Sequence, residues 1–429
     1  MTSRATLLIV LIAAAFLLGL AALNGGIVAL AIPLLVYLGL ALLQRPEAIQ
    51  LTGERIVHPD RVAVGEPATL RLHLTNDGAP LSEVRVEEVV PSGLEVTSGH
   101  ANALAPLATG ESLTLEYTVR GPRGAYRFKH AYATALDGFG LFQRQTVIPA
   151  FASLLVQPTT QRLRPIPLRP PRTRGFAGPI PSRQGGSGVD FFAVREYQLG
   201  DRLRSVNWRA SARYDDRIFS NVFEQERIAD IGLILDAREQ NDVRTTHGSL
   251  FEHAVHATAS LAEAFLDAGN RVGLLVYGSG IEGVFPGYGR VQRDRLLRAL
   301  ARATVDHHFI FEKLDRLPTR FFPAHSQIVF VGAVMNDDAP VLGRLRALGY
   351  AVMVVSPDPI AFELQTLDTN IRTQYAARIA RAERRLNLQM LRRHGVQVVD
   401  WDVSLPLDAV IHAALARQPA QRRLMVRMP

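Results

Sequence analysis

The sequence predicts a multidomain chain. A transmembrane helical hairpin comes first, then an all-β immunoglobulin-like sandwich, then an α/β domain built on a doubly wound parallel sheet. Three observations carry this. Two uncharged apolar runs stand side by side at residues 5–23 and 27–43. Short β-rich runs separated by turn signals fill residues 50–157. From residue 230, near-continuous apolar strands alternate with amphipathic helices.

The hairpin is placed at residues 1–45. Its first run, ATLLIVLIAAAFLLGLAAL, is about as long as the ~20 residues that a helix needs to cross a bilayer. Asn24-Gly25-Gly26 reads as a tight turn, and IVALAIPLLVYLGLALL follows. Pro33 should kink the second helix, which membrane helices tolerate. A signal peptide followed by a buried helix is the alternative. It is disfavoured because the second run follows so closely and is so uniformly apolar. Arg4 precedes the hairpin, and Arg45, Arg55 and Arg61 follow it. Basic residues favour the cytoplasmic side, so both ends of the hairpin and the soluble domains are expected there.

Residues 50–157 hold ATLRLHLTN, EVRVEEVV, SLTLEYTVR, AYRFKHAYATAL and ASLLVQP, cut by signals such as Asn76-Asp77-Gly78 and Pro91-Ser92-Gly93. Around seven short strands at this spacing suggest the sandwich. Alternation assigns Leu70, Leu72 and Leu74 to its core and Arg71, His73 and Thr75 to the wet face. Residues 158–188 follow as a linker rich in proline, arginine and glycine, expected to be extended or mobile. Residues 189–229 form a separate charged segment.

The α/β domain is placed at 230–420. ADIGLILDA, RVGLLVYG, QIVFVGAVM, YAVMVVSPD and VQVVDWD are its strands. Helices are expected over 249–268, 290–303, 338–348, 375–394 and 406–417. Apolar strands alternating with helices imply a parallel sheet covered on both faces.

Composition narrows the function. Of the 429 residues, 48 are basic and 40 acidic, for a net charge of +8. Only Lys129 and Lys313 are lysines. The arginines are scattered among acids without the aromatic interleaving of a nucleic-acid surface, so no nucleic-acid partner is expected. Anionic lipid headgroups explain a basic balance more simply. The absence of cysteine excludes disulfides, thiolate metal sites and cysteine nucleophiles.

The densest functional signal is REYQLGDRLRSVNWRASAR at 195–213. Its Arg195, Glu196, Tyr197, Gly200, Asp201, Arg204, Trp208 and Arg213 are the candidate partner-binding or domain-docking residues. Glu196 and Asp201 could act as paired carboxylates, but each has an arginine nearby in sequence, which favours ionised structural roles. Gly200-Asp201 reads as a turn, with Asp201 capping the segment after it. Trp208 is expected beneath Arg204 or another guanidinium. His307-His308 reads as a surface pair, since adjacent strand residues point to opposite faces. GVFPGYG at 283–289 lacks the ending of a phosphate loop and reads as a hairpin or loop. Arg378, Arg381, Arg384, Arg385, Arg392 and Arg393 read as one solvated helix face.

With Arg123-Gly124-Ala125-Tyr126 and Asp137-Gly138-Phe139-Gly140-Leu141-Phe142, the motif at 195–213 resembles the bacterial domain-of-unknown-function fifty-eight family. The resemblance implies a von Willebrand factor type A-like α/β domain and a setting in the bacterial inner (cytoplasmic) membrane. It also implies MoxR-type AAA+ ATPases and other type A domain proteins as partners. Type A domains hold a divalent ion on an Asp-x-Ser-x-Ser loop, and oxygen donors there suit Mg²⁺. Here Asp236 stands in place, while Arg238 and Gln240 replace both serines. The metal site is read as degenerate, with Arg238 pairing with Asp236 as a built-in cation. No catalytic residue, cofactor or small-molecule substrate is expected. The implied function is a membrane-tethered, non-enzymatic adaptor or scaffold working with such an ATPase on envelope-associated complexes. The alternatives are a metal-dependent adhesion-type receptor and a hydrolase using Glu196 or Asp201.

Overall fold

The computed structural model describes residues 2–45, 48–167, 180–214, 216–246, 248–278, 280–305, 313–368 and 370–416. It divides into two compact units, Met1–Gln157 and Pro158–Pro429.

The first unit opens with helix α1 (Ser3–Ala21), whose N-terminus is capped by Thr2. A second helical stretch covers α2 (Gly25–Ala29) and α3 (Ala31–Leu43), with Leu30 between them. Asn24 accepts a hydrogen bond from the Gly26 amide at 2.9 Å, so both glycines expected in the turn belong to the second helix. The interruption adjoins Ala29, the carbonyl that Pro33 cannot bond. Ser3–Ala21 and Gly25–Leu43 are each 19 residues long and apolar enough to cross a membrane.

Nine strands follow, more than the seven expected. They are β1 (Leu51–His58), β2 (Arg61–Ala63), β3 (Ala68–Asn76), β4 (Leu81–Glu88), β5 (Glu95–Gly99), β6 (Asn102–Leu107), β7 (Ser112–Arg120), β8 (Gly124–Leu136) and β9 (Gln143–Gln157). They form two sheets, in orders β1-β3-β7-β5 and β2-β9-β8-β4-β6. Every pairing is antiparallel except that of β2 with β9. Leu72 and Leu74 from one sheet cluster with Val84, Val86, Ala133 and Ile148 from the other, so the core lies between the two. The alternation is as read: Leu70, Leu72 and Leu74 are fully buried, and Arg71 and His73 are exposed. Each such leucine contributes roughly 1.5–3 kcal/mol by leaving water. Also buried between the sheets is the ion pair Arg55–Glu88, with Arg55 5.3 Å from the Phe128 ring centroid.

In the second unit, β10 (Ile180–Glu196) pairs antiparallel with β11 (Phe219–Arg227), with the short helix α4 (Trp208–Ser211) between them in sequence. The segment expected as an extended linker is therefore partly built into the fold. Its end forms β10, and residues 158–167 lie along the α/β core. Leu163 is buried in that core, the Gln161 amide donates to Ser260, and Arg164 pairs with Asp408.

The remaining elements are β12 (Asp230–Asp236), β13 (Arg244–Thr245), β14 (Gly248–Ser249), α5 (Leu250–Asp267), β15 (Arg271–Tyr277), β16 (Ile281–Gly287), α6 (Gly289–Arg302), β17 (Gln327–Val331), α7 (Asp338–Ala347), β18 (Ala351–Pro357), α8 (Pro359–Glu363), α9 (Ile371–Arg393), β19 (Gln397–Trp401) and α10 (Leu407–Ala416). The main sheet runs β16-β15-β12-β17-β18-β19. It is not purely parallel: β16 closes one edge as the antiparallel arm of a hairpin with β15. This is the glycine-rich GVFPGYG stretch. Residues of α5, α6 and α10 pack in one apolar cluster and those of α7 and α9 in the other, which puts helices on both faces. Along β12, Leu233 and Leu235 join the first cluster and Ile234 the second. α9 starts earlier than its periodicity suggested because Asn370 caps it through the Thr373 amide at 2.9 Å. His307-His308 lies outside the described residues.

Candidate functional site

In an open α/β sheet, ligands bind beyond the carboxyl ends of the strands where the strand order reverses. Here that point lies between β12 and β17, because β15 and β17 flank β12 on opposite sides. Asp236 is the last residue of β12. Gly332, just past β17, comes so close that a Cβ there would meet the Asp236 Cβ at 2.4 Å.

Arg238 fills this point and is 3% exposed. Its Nε donates to Asp236 Oδ1 at 2.8 Å and its Nη2 to Asp236 Oδ2 at 2.7 Å. On the other side, Nη1 donates to Asp338 Oδ1 at 2.9 Å and Nη2 to Asp338 Oδ2 at 2.8 Å. Such fork-to-carboxylate pairs are the strongest hydrogen bonds that side chains make. Gln240, oriented with its amide oxygen toward the guanidinium, accepts from Nη1 at 2.9 Å.

Two carboxylates share one guanidinium, so the ionised cluster has one negative charge in excess. Main-chain amides offset it: Arg238 N donates to Asp236 Oδ1 and Met335 N to Asp338 Oδ2. Burial pushes the Asp236 carboxyl above its ordinary value; Arg238 pulls it back and Asp338 pushes it further up. For Arg238, burial works against the charge, but the two carboxylates outweigh it and hold the guanidinium firmly cationic. All four carboxylate oxygens already accept from Arg238, so the residues present do not fit a divalent ion bound between them.

Sequence reading placed the Arg238–Asp236 pair but missed Asp338, because the loop after β17 shows no acid at the strand end. Asp338 instead reaches back from the first residue of α7. The Asn336-Asp337-Asp338 run before a helix was the available signal. A second arginine was misplaced. Arg384 is not on the solvated face of α9. It is buried, and its Nη2 donates to the Ser356 carbonyl at 3.0 Å and to Asp400 at 2.6 Å, across the ends of β18 and β19.

The 195–213 motif forms a turn at the end of β10. Arg195 Nη2 donates to Asp201 Oδ1 at 2.6 Å, and the Gln198 amide donates to Asp201 Oδ2 at 3.0 Å. Tyr197 Oη reaches the Asp201 carbonyl at 3.2 Å. Gly200 has φ +107°, a conformation that glycine adopts without strain. Asp201 thus closes the turn backward instead of capping the residues after it. The Gln198 amide, then Arg195, hold its carboxyl below the ordinary value, opposite to what a general acid needs. Glu196 is exposed at the strand end, paired in register with Phe219.

The structure does not bring Arg204, Trp208 and Arg213 into that turn. All three are exposed, and among the described residues no guanidinium lies over the Trp208 ring. Asn207 organises this part instead. It caps α4 through the Ala210 amide, donates to Asn221 Oδ1 at 2.7 Å, and ties its own amide to the Phe219 carbonyl. Leu199, Leu203, Trp208, Tyr214 and Ile218 are left exposed among arginines.

Residues 193–357 match the family described as "Protein of unknown function DUF58". The matched stretch contains both the Arg195–Asp201 turn and the Arg238 cluster. The chain is also 28% identical over 320 residues to the "Uncharacterized protein YeaD" of Bacillus subtilis, covering 71% of this chain and 76% of that one. Among solved structures, alpha-2-macroglobulin from Escherichia coli is similar at 23% identity and a TM-score of 0.22, over 30% of this chain and 20% of that one. A FixG-related protein from Vibrio parahaemolyticus is similar at 13% identity and a TM-score of 0.17, over 25% and 95% respectively.

Proposed function

We propose that this chain is a non-enzymatic adaptor or scaffold tethered to the bacterial inner membrane, working with a MoxR-type AAA+ ATPase and other type A domain proteins. Its task is to assemble or remodel envelope-associated complexes. In this reading the two apolar helices cross the membrane with both ends on the cytoplasmic side. The two-sheet unit is immunoglobulin-like, and the α/β unit is a type A-like domain whose ion has been replaced by a side chain.

One observation carries the proposal: Arg238 saturates both carboxylates at the strand-order reversal. A site closed in this way offers neither an open coordination position nor a free base. What remains for function is surface. The exposed Leu199, Leu203 and Trp208, interleaved with Arg202, Arg204 and Arg209, offer apolar anchors with a basic surround. Aromatic and arginine side chains carry much of the energy in protein interfaces. The Arg195–Asp201 turn holds that surface in shape.

The test is to purify the tagged full-length protein from native membranes, with and without a slowly hydrolysed ATP analogue, and identify what co-elutes. Nucleotide-dependent recovery of an AAA+ ATPase, lost when Leu203 and Trp208 are replaced by serine, is the expected result. Recovery of no ATPase in either condition refutes the adaptor reading.

A further inference from the structure

The loop Asp137–Phe142 connects β8 to β9 at the end of the two-sheet domain that meets the helices. Leu141 and Phe142 cluster with Ala5, Leu8, Ile12 and Ala41 of the two helices. The Phe139 ring meets Tyr37 edge-on, with centroids 5.1 Å apart. Tyr37 precedes the last residue of α3, Leu43, by six positions. At ~1.5 Å per residue, the tyrosine that Phe139 meets stands about 9 Å along the axis from that helix end.

The helices have no length to spare. Nineteen residues span about 28 Å, close to the ~30 Å of bilayer hydrocarbon. A loop carried that far along them cannot stand clear of the lipid. Irregular backbone tolerates such a place only when its polar groups find partners within the protein. The Phe139 carbonyl accepts from Tyr37 Oη at 3.3 Å. Those of Gly140 and Leu141 accept from Thr2 Oγ1, each at 3.0 Å, and Leu141 also from the Thr2 amide. The Phe142 carbonyl accepts from the Asp137 amide, and the Asp137 carbonyl from the Gly140 amide. Inside the turn, the Phe142 amide donates to Asp137 Oδ1 at 2.9 Å. Arg4 lies beside Gly140 and Gln44 beside Gly138, so polar side chains flank the point of entry.

We infer that residues 138–142 form a wedge seated at the headgroup–acyl boundary of the bilayer. Lipid contact there, together with the helix contacts, holds the two-sheet domain against the membrane surface. The inference rests on the reading that the hairpin crosses a membrane.

The chain has no cysteine, so one introduced thiol can be labelled uniquely. Phe139→Cys, Phe151→Cys and Leu17→Cys versions of the full chain would carry a small fluorophore in phosphatidylethanolamine/phosphatidylglycerol proteoliposomes. Phe151, 76% exposed on β9, is the water-side reference, and Leu17, 68% exposed on α1, is the hydrocarbon reference. The label at 139 should be quenched several-fold more by lipids carrying a shallow nitroxide than by aqueous iodide, with the reverse at 151. Gly138→Cys, which keeps the Phe139–Tyr37 contact, should behave like Phe139→Cys. Iodide quenching at 138 and 139 equal to that at 151, with Leu17 quenched by deep lipid nitroxide, overturns the wedge alone. Iodide quenching at Leu17 as well overturns the membrane-crossing reading with it.

Discussion

Arg238 and Asp338 stand 100 residues apart in sequence and are joined by two parallel hydrogen bonds of 2.9 and 2.8 Å. That pair, with Asp236 on the other side of the guanidinium, ties the end of the first strand of the α/β sheet to the start of the helix that follows β17. The guanidinium that makes this link is a covalently attached cation that cannot dissociate.

Removing that cation should destabilise the α/β unit strongly. Arg238→Met leaves two carboxylates facing each other with no cation between them, and breaking a buried pair in this way costs about 3–5 kcal/mol. Urea unfolding of the full-length protein in nanodiscs, followed by the fluorescence of the buried Trp401, measures the loss. A midpoint equal to that of the wild type contradicts the importance given to the cluster.

The buried pair in the two-sheet domain invites a similar comparison. Arg55 and Glu88 are both inaccessible at their side chains, and burial raises the Glu88 carboxyl against the pull of Arg55. Arg55→Met should cost about 3–5 kcal/mol, whereas Arg55→Met with Glu88→Met should cost much less, because no lone charge is left. Differential scanning of both variants decides the matter. Equal losses mean that the pair acts through packing alone.

Asp201→Asn should loosen the motif turn with little effect on the overall melting temperature, since Asp201 and its partner are only partly buried. Hydrogen exchange at the Gln198 amide should accelerate, and ATPase recovery should fall. Unchanged exchange at that amide would show that the turn holds itself without the carboxylate.

A pH effect follows from His253. It packs edge-on against Phe362 at 5.6 Å and Trp401 at 6.4 Å. Burial, helped by the neighbouring His256 and opposed by Glu252, lowers its pKa from 6.5. The unfolded chain therefore binds the proton more readily. Stability from this site is complete above pH 6.5 and is lost as pH falls below it. The wild-type melting temperature should drop on acidification through that window, and His253→Gln should flatten the drop. Parallel curves for the two proteins would assign the acid sensitivity elsewhere.

The legible parts of this fold were those with local pattern. Leu70, Leu72 and Leu74 alternate with polar residues, and Ile231 to Leu235 form an unbroken apolar run, so both strands are readable without any tertiary knowledge. Arg238 could be paired with Asp236 because the two are neighbours in one loop. Asp338 could not, since its partner lies on another element, and the Asn336-Asp337-Asp338 run marks an acidic helix start without saying what it contacts. The β10–β11 ribbon was hidden for a different reason. Its first half is glycine-rich, and its pairing is made by backbone groups that leave no periodic signature. Arg384 sits among six exposed arginines on the same helix, and only the position of Ser356 and Asp400 across the sheet end distinguishes it.

The most direct measurement is a Mg²⁺ titration of the full-length protein and of Arg238→Ser, read by calorimetry and by thermal shift. The wild type should show no saturable binding and no rise in melting temperature at millimolar Mg²⁺. Arg238→Ser, with Asp236 and Asp338 released as oxygen donors, should regain part of its lost stability in Mg²⁺. Saturable wild-type binding that disappears in Asp338→Asn would contradict the claim that the guanidinium has taken the place of the ion.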